Sequence, residues 1–180
     1  MKDNCTLNPG QVTLIAAQTI DGFIGRASDD SSFNWTSAED KQFYISMIKQ
    51  ADAIIMGRTT FGTFSKYPRG AHFVIMTREP AAFTNPSPNV ITAEASTESP
   101  VELIARLRQA GKQKIVVAGG ASIYTAFLAA GVVDRLLLTL EPLLFGGGVK
   151  LLSQSVEAKL QVERYWELSE QTRVGDFLVI

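Results

Sequence analysis

The stretch Lys114–Tyr124, KIVVAGGASIY, restricts the fold of this chain more than any other. Ile115–Ala118 is a short β-branched run of the kind found in a buried strand. Gly119-Gly120 follows at once, and Ala121–Ala130 then sets Ile123, Phe127 and Ala130 on one helical stripe, with Gly131 as the stop. A strand that feeds a helix through two glycines presents free backbone N–H groups at the positive end of a helix dipole. A phosphate can approach such a backbone closely because no Cβ intervenes. A tight strand–helix turn with no ligand is the other reading, and one Gly-Gly pair does not choose between them. The stretch is not a P-loop, since no Gly-Lys-Ser/Thr follows, and it lacks the three-glycine spacing of a dinucleotide-binding turn.

Other strands end in the same style. Val12–Ala17 reads as a central strand, followed by QTIDGFIG with Asp21-Gly22 as its turn signal. Asp52–Gly57 is a second buried strand, and Arg58-Thr59-Thr60-Phe61 comes straight after it, with a short helix expected over Thr59–Phe64. Ala71–Met76 is a third, ending in Thr77-Arg78. An arginine beside hydroxyls can grip a phosphorylated ligand; it can equally be a surface charge beside a threonine N-cap. Two such endings and a Gly-Gly ending on a third strand begin to look like one anion site at the strand ends. His72 lies inside a strand and reads as structural, with no Cys or His partner to suggest a metal.

Ser37–Gln50 is a helix whose apolar stripe is Phe43, Tyr44, Met47 and Ile48. Asp40 precedes that stripe by three and four residues, so its carboxylate sits on or beside the buried face. Apolar surroundings raise a carboxyl pKa and let it pass a proton near neutral pH. Against this, Ser37-x-x-Asp40 is close to a capping box, in which Asp40 only stabilises the helix start. Both readings stand on spacing alone. The polar loop Arg26–Asn34 fits a site cover and a plain surface loop equally well.

The remaining segments complete an alternation of strand and helix. A short strand is expected at Val90–Thr92, and Ser99-Pro100-x-Glu102 opens a helix with Leu103, Ile104 and Leu107 inward. Asp134–Leu140 is a strand in which Thr139 is polar within an apolar row, and Gly146–Gly148 reads as a flexible turn. Ala158–Ser169 alternates as a half-exposed strand carrying Trp166, and Arg173–Ile180 forms a last strand, antiparallel through a hairpin. The expected fold is α/β, a mixed, mainly parallel sheet with helices on both faces and a C-terminal antiparallel hairpin. Residues 1–10 are expected to be a loose segment and 11–180 a single domain.

Charge narrows the partners. Lys and Arg number 17 against 18 Asp and Glu, with no basic patch, so nucleic acid and anionic membrane surfaces are not expected partners. One cysteine, Cys5, allows no internal disulfide, and the N-terminus has no apolar signal core, which points to the cytoplasm.

Taken in order, several motifs resemble the dihydrofolate reductase superfamily, nearest the reductase domain of the bifunctional riboflavin-biosynthesis deaminase/reductase. They are Ala16-Ala17…Asp21-Gly22-x-Ile24-Gly25, Trp35 with Asp40 five residues on, Gly57-Arg58-x-Thr60-Phe61, Thr77-Arg78, Gly119-Gly120-x-x-x-Tyr124 and Val133-Asp134-Arg135…Thr139. The resemblance spans about Leu14 to Ile180 and implies a three-layer αβα fold and an NADPH-dependent reductase. It implies that Gly57, Arg58, Thr59, Thr60, Thr77 and Arg78 hold the 2′-phosphate and pyrophosphate, with Gly119, Gly120, Ala121, Ser122 and Ile123 also on the pyrophosphate. Ala17, Ile24 and Gly25 would meet the nicotinamide. Asp40 would support protonation of a heterocyclic substrate, Thr139 would orient it, and Trp35 and Tyr44 would join Asp40 at the substrate. A cis peptide at Gly119–Gly120 and a homodimer through the C-terminal hairpin are implied as well.

Departures keep the substrate open. Phe33-Asn34-Trp35 replaces the Leu-Pro-Trp usual in folate reductases, and Gly70–Met76 offers no clear match to their tail-binding arginine. Glu141-Pro142…Phe145-Gly146-Gly147-Gly148 looks like the riboflavin-type branch, yet GRTTFGTF stands where that branch carries Asp-x-Pro-x-Leu. No zinc-deaminase motif is present, so the leading expectation is a stand-alone reductase most like 5-amino-6-(5-phosphoribosylamino)uracil reductase. Dihydrofolate reduction is the runner-up, and a non-catalytic NADPH-binding protein is the alternative of another class.

Overall fold

The apolar runs of the sequence pair side by side. In the computed structural model, which describes residues 6–64, 67–153, 172–174 and 177–179, they form one sheet. Its strands are β1 (Val12–Thr19), β3 (Ala53–Gly57), β4 (His72–Met76), β5 (Thr92–Ser96), β6 (Ile115–Val117), β7 (Arg135–Glu141), β9 (Thr172–Val174) and β10 (Phe177–Val179). Their order is β5-β4-β3-β6-β1-β7-β10-β9. Pairing is parallel from β5 to β7, and antiparallel between β7 and β10 and between β10 and β9. A separate small ladder joins β2 (Phe23–Gly25) to β8 (Val149–Lys150).

Parallel neighbours need crossovers, and helices supply most of them. They are α1 (Ala38–Gln50), α2 (Arg58–Gly62), α3 (Pro100–Gln109) and α4 (Ala121–Ala129). Side chains alternate across the strands, so each face of the sheet meets its own helices. Ile55, Val74 and Val117 pack with Leu103 and Leu107 of α3 and Phe127 of α4. Ile54, Phe73, Ile75 and Val116 pack with Met47 and Ile48 of α1 and Phe61 of α2. The result is the three-layer αβα arrangement expected from the sequence. No helix among the described residues is long and apolar enough to cross a membrane.

Helix starts follow the expected chemistry, with one exception. Ser99 and Glu102 make a full capping box on α3, with Pro100 in its first turn. On α1, Asp40 N donates to Ser37 Oγ at 3.1 Å, but the Asp40 carboxylate does not reach back to Ser37. Glu141 of β7 takes that place. Its Oε1 accepts from Ser37 N at 2.8 Å and from Ser37 Oγ at 2.9 Å. Asp40 is thereby released from capping and turned inward.

Several expected boundaries move. The strand expected at Val90–Thr92 lies at Thr92–Ser96 instead, because Val90 and Ile91 are held in a turn by their N–H bonds to Ser87 O. Arg173–Ile180 is not one strand but two, β9 and β10, which pair with each other. The Gly175-Asp176 pair between them is a two-residue hairpin signal. The short strands β2 and β8 were not expected at all. Within the N-terminal stretch expected to be loose, Leu7 is buried and its N–H donates to Gln50 Oε1 at 3.1 Å. The alternating segment Ala158–Ser169 with Trp166, and Cys5, lie outside the described residues.

Phe127 is fully buried between α4 and the sheet. Phe127→Ala is expected to cost about 3–5 kcal/mol of folding free energy, read as a lowered urea midpoint at unchanged slope.

Candidate active site

The site begins where two strands part. β1 pairs with β6 only from Val12↔Ile115 to Leu14↔Val117, while β1 itself continues beside β7 to Thr19. Above the parting, Ala16 and Ala17 stand opposite Ala118 and Gly119 across a crevice. Such a gap at the carboxyl ends of parallel strands is where open α/β sheets take their ligands. Tyr124, in the first turns of α4, crosses it and donates its hydroxyl to Ile15 O at 2.7 Å.

The turn from β6 to α4 is pressed against the start of α2. The Gly119–Gly120 peptide is cis, as the resemblance implied. Gly57 N donates to Gly119 O at 2.8 Å. A Cβ at Gly120 would lie 3.1 Å from Thr60 Oγ1, and one at Gly57 would lie 3.3 Å from Ile123 Cγ1. These glycines let the ends of β3 and β6 close on each other without a side chain between them.

A cavity of about 110 Å³ fills the crevice, lined by Ala17, Ile24, Gly25, Asp40, Tyr44, Thr60, Gly119, Gly120 and Ala121 among others. Asp40 is 6% exposed. Burial holds its carboxyl pKa above the ordinary aspartate value, hydrogen bonds from Thr139 and Thr36 partly oppose the rise, and the nearby negative charge of Glu141 adds to it. The group therefore keeps its proton to higher pH than an exposed aspartate. Burial also raises the pKa of Tyr44, so its hydroxyl stays neutral.

A larger groove of about 890 Å³ runs over the strand ends and shares Thr60, Gly120 and Ala121 with the cavity. Gly57, Arg58 and Thr59 come to it from β3 and α2, Thr77 and Arg78 from the end of β4, and Ser122 and Ile123 from α4. The N-cap Gly120 supplies no side-chain cap to α4. Arg58 lies 3.9 Å from Glu79, with both side chains more than half exposed, a pairing that costs little to exchange for a ligand.

The structure thus brings all the expected cofactor residues to two connected hollows, with Asp40 and Tyr44 in the smaller. It does not bring Trp35 or Thr139 to the lining. Thr139, 1% exposed, stands behind Asp40 as its hydrogen-bond partner. Trp35 packs edge-on against Phe145 at 5.2 Å and, among the described residues, its indole N–H has no hydrogen-bond partner. Sequence reasoning missed Thr36 and Glu141 around Asp40, and Ser96 and Thr97 at the end of β5. The last two repeat the hydroxyl ending of β3 and β4, a signal hidden by placing β5 too early. The loop Arg26–Asn34 does reach the site, through Ser28 and Phe33.

The wall made by β2 and β8 depends on one aspartate. Asp21 Oδ2 accepts from Phe145 N at 3.1 Å and Gly146 N at 2.7 Å, and Thr19 Oγ1 donates to Oδ1 at 2.5 Å. The Thr19 bond and these two N–H bonds hold its pKa below the ordinary value. Arg26 covers the Phe145 ring at 4.3 Å. Gly148 then passes so close to β2, at φ +137°, that a Cβ would collide with Gly25 O. Gly148→Ala is expected to cost about 1–3 kcal/mol by calorimetry. It should also loosen the Ile24 and Val149 wall, read as faster amide hydrogen exchange at those two residues.

A profile described as the RibD C-terminal domain matches residues 11–174. The riboflavin biosynthesis protein RibD of Corynebacterium ammoniagenes is 30% identical over 164 residues, 83% of this chain and 48% of that protein. The chain thus spans about half the length of that relative. An uncharacterized Bacillus subtilis protein, YwjB, is 26% identical over 167 residues, 85% of this chain and 89% of its own. Two solved structures share the fold. The Thermotoga maritima diaminohydroxyphosphoribosylaminopyrimidine deaminase/5-amino-6-(5-phosphoribosylamino)uracil reductase superposes with a TM-score of 0.71 at 19% identity, over 95% of this chain and 55% of that one. Dihydrofolate reductase from Enterococcus faecalis, complexed with NADP(H), gives 0.65 at 17% identity, over 96% of both chains. The chain belongs to the RibD C-terminal domain family and has a dihydrofolate-reductase-like fold.

Proposed function

We propose that this domain is an NADPH-dependent reductase that delivers hydride to a protonatable heterocycle of the pyrimidine type. One observation carries the reading. Asp40, a buried carboxyl whose pKa is raised by burial, faces the same cavity as the Gly119–Gly120 turn.

The residues present fit the cofactor. Arg58 and Arg78 offer guanidinium forks for a 2′-phosphate, and Thr59, Thr60 and Thr77 add hydroxyl donors. The uncapped start of α4 at Gly120, Ala121, Ser122 and Ile123 suits a pyrophosphate, since no side chain competes for its first N–H groups. Ala17, Ile24 and Gly25 present a narrow wall for a flat ring. Bound NADPH would supply the hydride.

The chain's own part is to manage the proton. Asp40 would donate from its carboxyl to a ring nitrogen of the substrate, and its anion would then be held by the Thr139 and Thr36 hydroxyls. Glu141 keeps α1 in place through Ser37 and, by its charge, makes Asp40 readier to take its proton back. Tyr44 would line the substrate's other side as a neutral hydroxyl. A homodimer through the C-terminal strands, and residence in the cytoplasm, belong to the same reading.

The direct experiment is NADPH oxidation by the purified protein with 5-amino-6-(5-phosphoribosylamino)uracil and with dihydrofolate, side by side. No oxidation with either, and no binding of NADPH, would refute the reading. NADPH is expected to bind more tightly than NADH by roughly ten- to a hundredfold, the worth of one charge-assisted contact at about 1.5–3 kcal/mol. Titration of both cofactors checks this, and equal affinities would remove the arginines from the site. Asp40→Asn is expected to lower turnover roughly 10²–10⁴-fold with NADPH affinity kept. The wild-type rate should fall as pH rises through the raised Asp40 pKa, because the acid form is lost, and the variant should lack that limb. Stability moves the same way. The folded protein binds this proton more tightly than the unfolded chain, so Asp40's contribution declines as pH climbs from the ordinary aspartate range to the raised value.

A further inference from the structure

The groove over the strand ends has carboxylates close behind one of its walls. Ser96 and Thr97 line it at the close of β5, beside Thr77 and Arg78. Thr77 N donates to Ser96 O at 3.1 Å, which fixes the two strand ends together. Glu98 follows at once, and its carboxylate is one hydrogen bond behind the lining. Ser96 Oγ donates to Glu98 Oε2 at 2.8 Å, and Glu98 N donates to Ser96 Oγ at 3.1 Å. Glu94, two residues before Ser96, shares its face of β5. Helix α3 begins just beyond and gives no relief. Its N-terminus is closed by the capping box of Ser99 and Glu102, which adds another carboxylate, whereas the start of α4 is left open. Uncancelled, such charges would repel a phosphate at the strand ends.

One residue answers them. Arg106, in the last turn of α3, returns to β5. Its Nε lies 3.0 Å from each Glu98 oxygen, and Nη2 lies 2.9 Å from Glu98 Oε2. Nη1 donates to Glu94 Oε1 at 3.1 Å. A guanidinium forked onto carboxylates in this way makes strong, directed bonds. These bonds hold Glu98 below the usual carboxylate pKa, so its charge is always present and always opposed by Arg106. Both side chains are about a third or more exposed, and ion pairs of that kind add little to folding. What the fork changes most is the charge felt in the groove in front of it.

We propose that Arg106 is a specificity-determining residue for the cofactor: by cancelling the charge of Glu98 behind Ser96, it lets the ends of β4 and β5 accept a 2′-phosphate. It acts through Glu98 and not by contact with the cofactor. The inference rests on the NADPH-dependent reading above and names what makes that preference possible. A cofactor without the 2′-phosphate carries no charge at that place and is indifferent to Arg106.

The test is a titration of NADPH and NADH against the full chain at low salt, where exposed charges are least screened. Arg106→Met keeps the apolar stem and removes the charge, and Arg106→Gln keeps a donor for Glu98 without the charge. Each is expected to weaken NADPH on the order of tenfold and NADH less than about twofold. Adding Glu98→Gln to Arg106→Met should bring NADPH back to within about threefold of wild type. A general loosening of α3 or β5 would weaken both cofactors together, and a second substitution would not repair it. If Arg106→Met does not fold, Arg106→Gln with and without Glu98→Gln carries the same test. Equal loss for NADPH and NADH, a preference that survives either Arg106 variant, or no recovery on adding Glu98→Gln would each overturn the inference while leaving the reductase reading in place. A wild-type chain that binds NADPH no more tightly than NADH would refute the NADPH reading itself, and the inference with it.

Discussion

The parting of β1 from β6 beyond Leu14↔Val117 is the constraint on which the rest of the molecule depends. Two parallel strands that separate leave backbone carbonyls with no ladder partner, and a buried carbonyl without a partner is costly. Tyr124 answers that need at Ile15 O. Its position follows from the glycine turn, because a helix starting at Ala121 puts the fourth residue of its first turn over the crevice. The opening that receives a ligand and the bond that makes it tolerable therefore come from the same short stretch, Lys114–Tyr124.

A second dependence runs through the carboxylates. Asp40 looked like a helix cap because it lies three residues after Ser37. Glu141, over a hundred residues away, takes the Ser37 N–H and hydroxyl and leaves Asp40 free to turn toward Thr139 and the cavity. Burial and the nearby negative charge of Glu141 push the Asp40 pKa up, against the hydrogen bonds from Thr139 and Thr36. Local spacing could not reveal this division of labour, since it depends on which strand lies beneath the helix start.

What was legible in the sequence were features repeated along the chain. Three buried runs end in hydroxyls, arginine or glycine, and parallel pairing lines those endings up, so Arg58, Thr77, Arg78 and Gly120 meet as expected. Two kinds of feature were not legible. Strands of two or three residues, such as β2 and β8, are too short to show a period. Residues whose role depends on a distant neighbour also escaped: Trp35 was expected at the substrate but is drawn to Phe145, and β5 was placed early because Val90 and Ile91 look more strand-like than the small residues that form it.

The placement of β1 has a consequence for how the chain must be made. β1 is near the N-terminus, yet both its neighbours, β6 and β7, lie some hundred residues further on. As the chain leaves the ribosome, β3, β4 and β5 can pair among themselves, but β1 can find no partner until residues through Val117 have emerged, and not both until Glu141 has. During that interval Val12, Leu14 and Ile15, all buried in the finished sheet, belong to a strand with two open edges. Such a strand is a template for mispairing with another chain. Central position in the sheet and early position in the sequence thus make β1 both the spine of the finished domain and its most vulnerable segment during synthesis.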